Sequence, residues 1–355
     1  MVRGEGLTPV RGFCLIWIPV QAQIDNGKEK VQTRKLGRSE IRVSPMGLGC
    51  WAIGGPWNFR GEAAGWGEVD DRESIKAIHR ALDLGINFFD TAANYGCGHS
   101  ERILGQALGD RRHKVVIATK FGFVVDEQAK AVEDSDDPVR RVREECEQSL
   151  RRLGSDYIDV YQLHVWDLDF ERAIEIREQL EDLVAEGKIR TYGWSTDDPE
   201  RAQIFAEGGN CSVMQHVLNI MHDASEMLAV CEAANLASIN RTPLLMGVLT
   251  GKFNADSKFP ENDVRHEFNF QEGVGARRLE QIEALREVLT QGGRSLAQAA
   301  LGWIWARSER TIPIPGFKNI AQVEENIGAM AFGPLSDDQM REIDAILERK
   351  SLLDR

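Results

Sequence analysis

The chain has 355 residues, 42% of them hydrophobic, with 33 glycines and a formal net charge of −13. That apolar content excludes disorder over the bulk of the chain, and the acidic balance excludes nucleic-acid or anionic-membrane binding as its main job, because phosphate contacts need positive surface. The six cysteines (Cys14, Cys50, Cys97, Cys146, Cys211, Cys231) include no CxxC pair, which argues against a disulfide scaffold and a cysteine zinc site.

The first apolar run, FCLIWIPV at residues 13–20, is too short to span a bilayer, which needs about 20 residues. Arg3 and Arg11 precede it, but Pro19 and the following QAQIDNGKEK make a poor secretory signal. Residues 1–31 are therefore read as a loosely ordered extension, and the protein as soluble and cytoplasmic, with no membrane partner. From residue 32 to residue 355 we expect one domain. It opens with a hairpin, TRKLGRSEIRVS at 33–44, placed to plug the bottom of a barrel.

Eight short β-rich runs follow: 43–50, 86–92, 114–120, 157–164, 189–196, 212–219, 237–244 and 311–316. Between them the apolar period is helical. Residues 71–85 place Ile75, Ile78, Ala81 and Leu82 on one face, and 139–154, 171–188, 224–235 and 295–307 behave likewise. Gly85, Gly154 and Gly187 close helices, and Asp198, Pro199 and Glu200 open one. Residues 253–276 form a long polar insert of the kind used as a lid or binding loop. The last helix, 336–350, is an appendage. Eight strand–helix units without a composition break predict an α/β fold, a single-domain (β/α)8 TIM barrel; a doubly wound open sheet is the runner-up.

GLGCWA at 47–52 matches the dinucleotide fingerprint G-x-G-x-x-G/A. The fingerprint needs a helix to start at once, so that its N-terminus faces the pyrophosphate. Here Gly54, Gly55 and Pro56 follow, so the match is rejected. No Tyr has a Lys four residues on, no GxSxG or HExxH occurs, and no metal site is expected.

Barrel chemistry sits at the C-terminal ends of the strands. Asp90 ends the second, Lys120 the third, His164 the fourth, Ser195 the fifth and Arg241 the seventh; Gln215 and Asn219 lie on the sixth. Tyr95 follows Asp90 by five residues. A Lys between a carboxylate and a phenol stays charged and is expected to lower the phenol pKa from about 10 toward working pH. Such a phenol donates a proton to an oxygen becoming an alkoxide, and His164 orients that oxygen. Singly, each residue has a bland reading: a cap for Asp90, a salt-bridge partner for Lys120, a core histidine for His164, packing for Tyr95. Their joint placement on one rim carries the catalytic reading. Trp51, Trp57 and Trp166 are candidate walls of an apolar substrate pocket.

These segments resemble the aldo-keto reductase family, from about Gln32 to Lys350. GINFFDTAANYGCGHSERILGQAL is similar to the family signature around its catalytic Asp and Tyr, here Asp90 and Tyr95. ATK is similar to the segment with the family Lys, Lys120, and YIDVYQLHVWD to that with the family His, His164. The resemblance, strongest to bacterial branches with a short C-terminal tail, implies a (β/α)8 barrel that binds NADP(H), with NAD(H) possible, and reduces small-molecule aldehydes and ketones. It implies nicotinamide contacts at Ser195 and Gln215, with Thr196 where the family has Asn. Pyrophosphate contacts fall on Leu244, Gly247, Leu249 and Lys252. Adenine and 2′-phosphate contacts fall on Gly316, Lys318, Asn319, Gln322, Glu325 and Asn326. Two positions depart from the family: Arg241 stands where an aromatic often stacks on the nicotinamide, and Gln322 where many members have Arg. A non-catalytic nucleotide sensor or auxiliary subunit on the same fold is the alternative, and a metal-dependent hydrolase a third reading. Substrate choice is expected to lie in loops 51–68, 122–138 and 253–276.

Overall fold

The computed structural model describes residues 32–349, together with two short strands, Ile24–Asp25 and Lys28–Glu29, that pair antiparallel. The rest of the expected 1–31 extension, including Cys14 and the 13–20 run, lies outside the described residues, as do residues 350–355.

Alternation along the strands decides the architecture. The parallel strands are β1 (Leu48–Gly49), β2 (Phe88–Asp90), β3 (Val116–Phe121), β4 (Ile158–Leu163), β5 (Ile189–Ser195), β6 (Cys211–Val217), β7 (Ala237–Arg241) and β8 (Thr311–Pro313). They pair in sequence order as one eight-stranded sheet. A parallel bridge from Gly49 to Gly316 brings its two edges together, with Gly47 N and Gly49 N donating to Pro313 O and Pro315 O, both at 3.0 Å. Gly49 allows this approach: a Cβ there would lie 2.8 Å from Ile314 O. The sheet is thus the expected barrel.

Side chains two apart share a face. One parity (Phe88, Val116, Ala118, Val160, Val213, Ala237, Ile239, Ile312) forms an apolar cluster inside the ring. The other parity (Ile117, Tyr161, Trp194, Met214) packs outward under the helices. The inner cluster also takes in Leu36, Ile41 and Val43 from the hairpin Arg34–Lys35/Arg42–Val43, which therefore stoppers the barrel. The run 43–50 is not one strand. Pro45, which has no N–H for a ladder, separates the hairpin from β1.

The helices are α1 (Asp71–Asp83), α2 (His99–Leu108), α3 (Pro138–Leu153), α4 (Phe170–Ala185), α5 (Pro199–Ala206), α6 (Ser225–Ala233), α7 (Gly273–Leu289), α8 (Leu296–Arg307), α9 (Ile320–Phe332) and α10 (Asp337–Ile346). Asp70, Asp137, Asp169, Asp198, Ser295, Asn319 and Ser336 cap their N-termini through the side chain, satisfying amides the first turn leaves open. After GLGCWA the chain makes one 3-10 turn, Ala52–Gly54, and no α-helix begins before Asp71. The 253–276 insert ends earlier than expected, because α7 starts at Gly273. No described helix is long and apolar enough to cross a membrane.

Glu101 on α2 is fully buried and holds three elements together. It accepts from Thr119 Oγ1 on β3 at 2.6 Å and from Arg152 Nε on α3 at 2.6 Å. Glu101→Ala should lower unfolding free energy in urea by about 3 kcal/mol, since it strips a buried guanidinium of its main carboxylate.

Candidate active site

The inward parity continues upward into polar residues. Above Phe88 stands Asp90; above Ala118, Lys120; above Val160, Gln162 and then His164; above Val213, Gln215; above Ile239, Arg241. Lys120 Nζ donates to Asp90 Oδ2 at 2.6 Å, to Thr91 O at 2.8 Å and to Tyr95 Oη at 3.2 Å. Asp90 Oδ1 accepts from Gln215 Nε2 at 2.7 Å and from Gln162 Nε2 at 3.4 Å. Tyr95 returns to the rim through a turn that demands glycine after it: Gly96 has φ +62° and a Cβ there would meet Gly54 O at 1.9 Å. The phenol ring is stacked against Trp51 (centroids 5.9 Å, 20°) and edge-on to His164 (6.1 Å, 82°).

The electrostatics of this set differ from the sequence expectation in one direction. Tyr95 is raised above its ordinary value, because burying a phenolate costs more than the Lys120 charge returns. The phenol is therefore held as the acid. Burial alone would lower Lys120, but Asp90 and Tyr95 outweigh it and hold the ammonium charged. His164 is pushed well below its ordinary value by burial, then by Lys120 and Arg241. It stays neutral. Its Nδ1 is buried without a hydrogen-bond partner, whereas Nε2 is not closed off in this way.

A cavity of about 1030 Å³ opens over the rim. Asp90, Tyr95 and His164 line it, with Lys120 behind them. Trp51, Trp57 and Trp166 line it too, and so do Ser195, Gln215, Arg241, Leu244, Gly247, Lys252, Gly316, Lys318, Asn319, Gln322, Glu325 and Asn326. Leu249 does not. The Leu245–Thr250 turn points it into the apolar cluster beneath α7 and α8, and its N–H is used by Leu244 O at 3.2 Å. Asn219 is also elsewhere: β6 ends at Val217, and the Asn219 amide braces the next turn by donating to Thr242 O at 3.1 Å.

Residues 45–348 match the model of the aldo/keto reductase family. The chain belongs to this family. It is 32% identical over 331 residues to an NADH-specific methylglyoxal reductase of Escherichia coli K12, covering 88% of this chain and 98% of that protein. Among solved structures it resembles a glycerol dehydrogenase from Gluconobacter oxydans (TM-score 0.76, 32% identity, 89% of this chain and 94% of that one). It also resembles an aldo-keto reductase from Klebsiella pneumoniae in complex with NADPH (TM-score 0.63, 25% identity, 90% and 96%).

In this aldo/keto reductase the inserts flagged as loops interlock. Asn58–Phe59/Glu62–Ala63 and Phe123–Asp126/Ala131–Asp134 form one four-stranded sheet beside the rim. Phe59, Phe123 and Trp166 pack on one another there. The 253–276 insert crosses to the other loop: Trp66 bridges Asp263, and Val264 N donates to Gly65 O at 2.7 Å. Arg265 pairs with Asp263 at 2.8 Å and lies over the rings of Trp66 (4.5 Å) and Phe259 (4.2 Å). Lys318 Nζ donates to Trp66 O. Trp66, Asp197 and Arg265 are cavity residues that sequence reasoning missed. The only signal for Trp66 and Arg265 was membership of two loops marked as substrate-determining.

The buried neutral histidines predict an acid-side loss of stability. Burial also drops His216 to about 4. Above about pH 6.5 neither the native nor the unfolded chain protonates these rings. As pH falls below that value the unfolded chain takes up protons that the native chain refuses, so stability declines by up to about 1.4 kcal/mol per pH unit per histidine. Urea unfolding at pH 7, 6 and 5 should show the decline, and His216→Gln should make it shallower by one proton.

Proposed function

We propose that this chain reduces an aldehyde or ketone to the alcohol with NADPH, using Tyr95 as the proton donor. The observation that carries the reading is a phenol kept protonated at the cavity wall with a buried, charged ammonium 3.2 Å behind it. The donor set fits a nicotinamide dinucleotide. Lys252, Arg265 and Lys318 are cations for phosphates, and Ser195, Gln215, Asn319, Gln322 and Asn326 offer polar groups for the amide and the bases. The cavity is at the upper end of small-molecule sites, room for a dinucleotide and a small carbonyl compound together.

A bound reduced nicotinamide would supply the hydride. The carbonyl oxygen is received by Tyr95 Oη and His164. His164, neutral, presents its N–H from Nε2 and polarises the carbonyl without competing for the proton. Tyr95 delivers its proton as the oxygen gains charge. The phenolate left behind is stabilised by Lys120, which Asp90 keeps ionised. Gln215 fixes Asp90 Oδ1, so the pair cannot rotate out of line. Trp51, Trp57 and Trp166 exclude water from the oxygen and favour substrates with an apolar body.

Lys318 supports NADPH over NADH. It lines the cavity with Asn319, Gln322 and Asn326, and Gln322 Oε1 accepts from the Lys318 amide at 2.7 Å, which orders the turn. Fluorescence titration should give tighter binding of NADPH than of NADH, with the gap closed about tenfold by Lys318→Met.

Tyr95→Phe should lower turnover of small aldehydes by about 10²–10⁴-fold while NADPH still binds, because it removes only the proton donor. Loss of cofactor binding along with rate would refute this assignment. A wild-type protein that binds NADPH tightly yet reduces no aldehyde in a broad screen would favour a sensor.

A further inference from the structure

One ion pair lies in the cavity that the reaction above does not use. Asp197 follows β5 by two residues, and Arg241 ends β7. Arg241 Nη2 donates to Asp197 Oδ2, and Asp197 Oδ1 accepts from Val217 N at 2.7 Å. A single carboxylate thus ties the ends of β5, β6 and β7 and holds the guanidinium in place. Both side chains line the cavity and both are partly exposed to it. The neighbouring acid Asp198 is occupied elsewhere, by Arg201 and by the first amides of α5.

The position of this charge matters. Arg241 ends β7 at the rim and lines one cavity with Tyr95 and His164, and its charge pulls the proton affinity of each downward. Those two groups define where a carbonyl oxygen is held. Hydride transfer requires the donor and acceptor atoms to come within about 3–3.5 Å, so the ring that carries the hydride must share this end of the cavity with Arg241. That ring is neutral when reduced and carries a positive charge when oxidised. A fixed guanidinium therefore acts on one oxidation state far more than on the other, and its carboxylate partner acts with the opposite sign.

We infer that the Asp197–Arg241 pair sets this chain's preference between reduced and oxidised cofactor. Arg241 disfavours the oxidised ring, which hastens its departure after turnover, and Asp197 limits the penalty. The inference rests on the proposed reading that a nicotinamide binds in this cavity. Arg241 is a specificity-determining residue here, not a proton-transfer residue. A unit charge a few ångströms away, in an effective dielectric near 20, shifts an equilibrium by roughly tenfold or more, and partial cancellation by its partner reduces that.

The test is the ratio of the dissociation constants of NADP⁺ and NADPH, read by quenching of tryptophan fluorescence. Any packing lost with the side chain affects both forms and cancels in the ratio. Arg241→Gln should bring the two constants closer by about three- to tenfold. Asp197→Asn, which leaves the guanidinium uncompensated, should move them apart by a similar factor. Opposite signs from two partners of one ion pair are not expected of a bracing role, which would weaken both cofactors alike. Should Arg241→Gln fail to fold by circular dichroism, Arg241→Met supplies the neutral variant and Asp197→Asn is read independently. Ratios that stay at the wild-type value, or that move the same way in both variants, overturn the inference while leaving the function intact. A wild-type chain that binds neither NADPH nor NADP⁺ overturns both.

Discussion

The site depends on one buried ion pair, Lys120 with Asp90. Both side chains are almost wholly removed from water, and the desolvation of each ion costs several kcal/mol. The pair persists because its remaining valences are filled: Lys120 also donates to Thr91 O and Tyr95 Oη, and Asp90 also accepts from Gln162 and Gln215. Those partners come from the loop after β2, from β4 and from β6. The closed ring brings these three segments to the pair carried by β2 and β3. The barrel is therefore what makes a charged lysine tolerable at that depth, and the proposed proton donation by Tyr95 draws on that charge.

The division of the barrel into two layers follows from the period of two. Lower inward positions are apolar and sealed by the hairpin carrying Leu36, Ile41 and Val43. Upper inward positions are polar and meet the cavity. The lower layer supplies the rigidity that fixes the upper one, since a packed interior does not deform continuously. The rim is built differently. Its inserts are joined to each other through the four-stranded sheet and the Trp66–Asp263 bridge. That arrangement walls the cavity with aromatic rings and keeps Arg265 and Lys318 over it.

The sign of the Tyr95 shift is the clearest lesson in what residue lists omit. Pairing a phenol with a lysine suggests a lowered pKa, and the lysine does pull in that direction. Burial pulls harder. How far a side chain is buried is a property of the packed whole, so the balance between the two effects was not available beforehand. Leu249 makes the same point sterically. The family resemblance implied a cofactor contact there, but a turn with left-handed backbone at Leu245 and Met246 precedes it and its side chain lies in the core.

The amino-acid sequence by itself determined the eight strand–helix units, the helix opening at Asp198, the rejection of GLGCWA, and the placing of Asp90, Lys120 and His164 at strand ends. All of these rest on local periodicity and short-range backbone hydrogen bonding, which a linear string records. Tertiary structure alone decided that Trp66 and Asp263 meet, that Asp197 faces Arg241 and that burial outweighs Lys120 at Tyr95. Each joins residues far apart in the chain, or sums over many neighbours, and so depends on how the ring closes and not on what any one segment prefers.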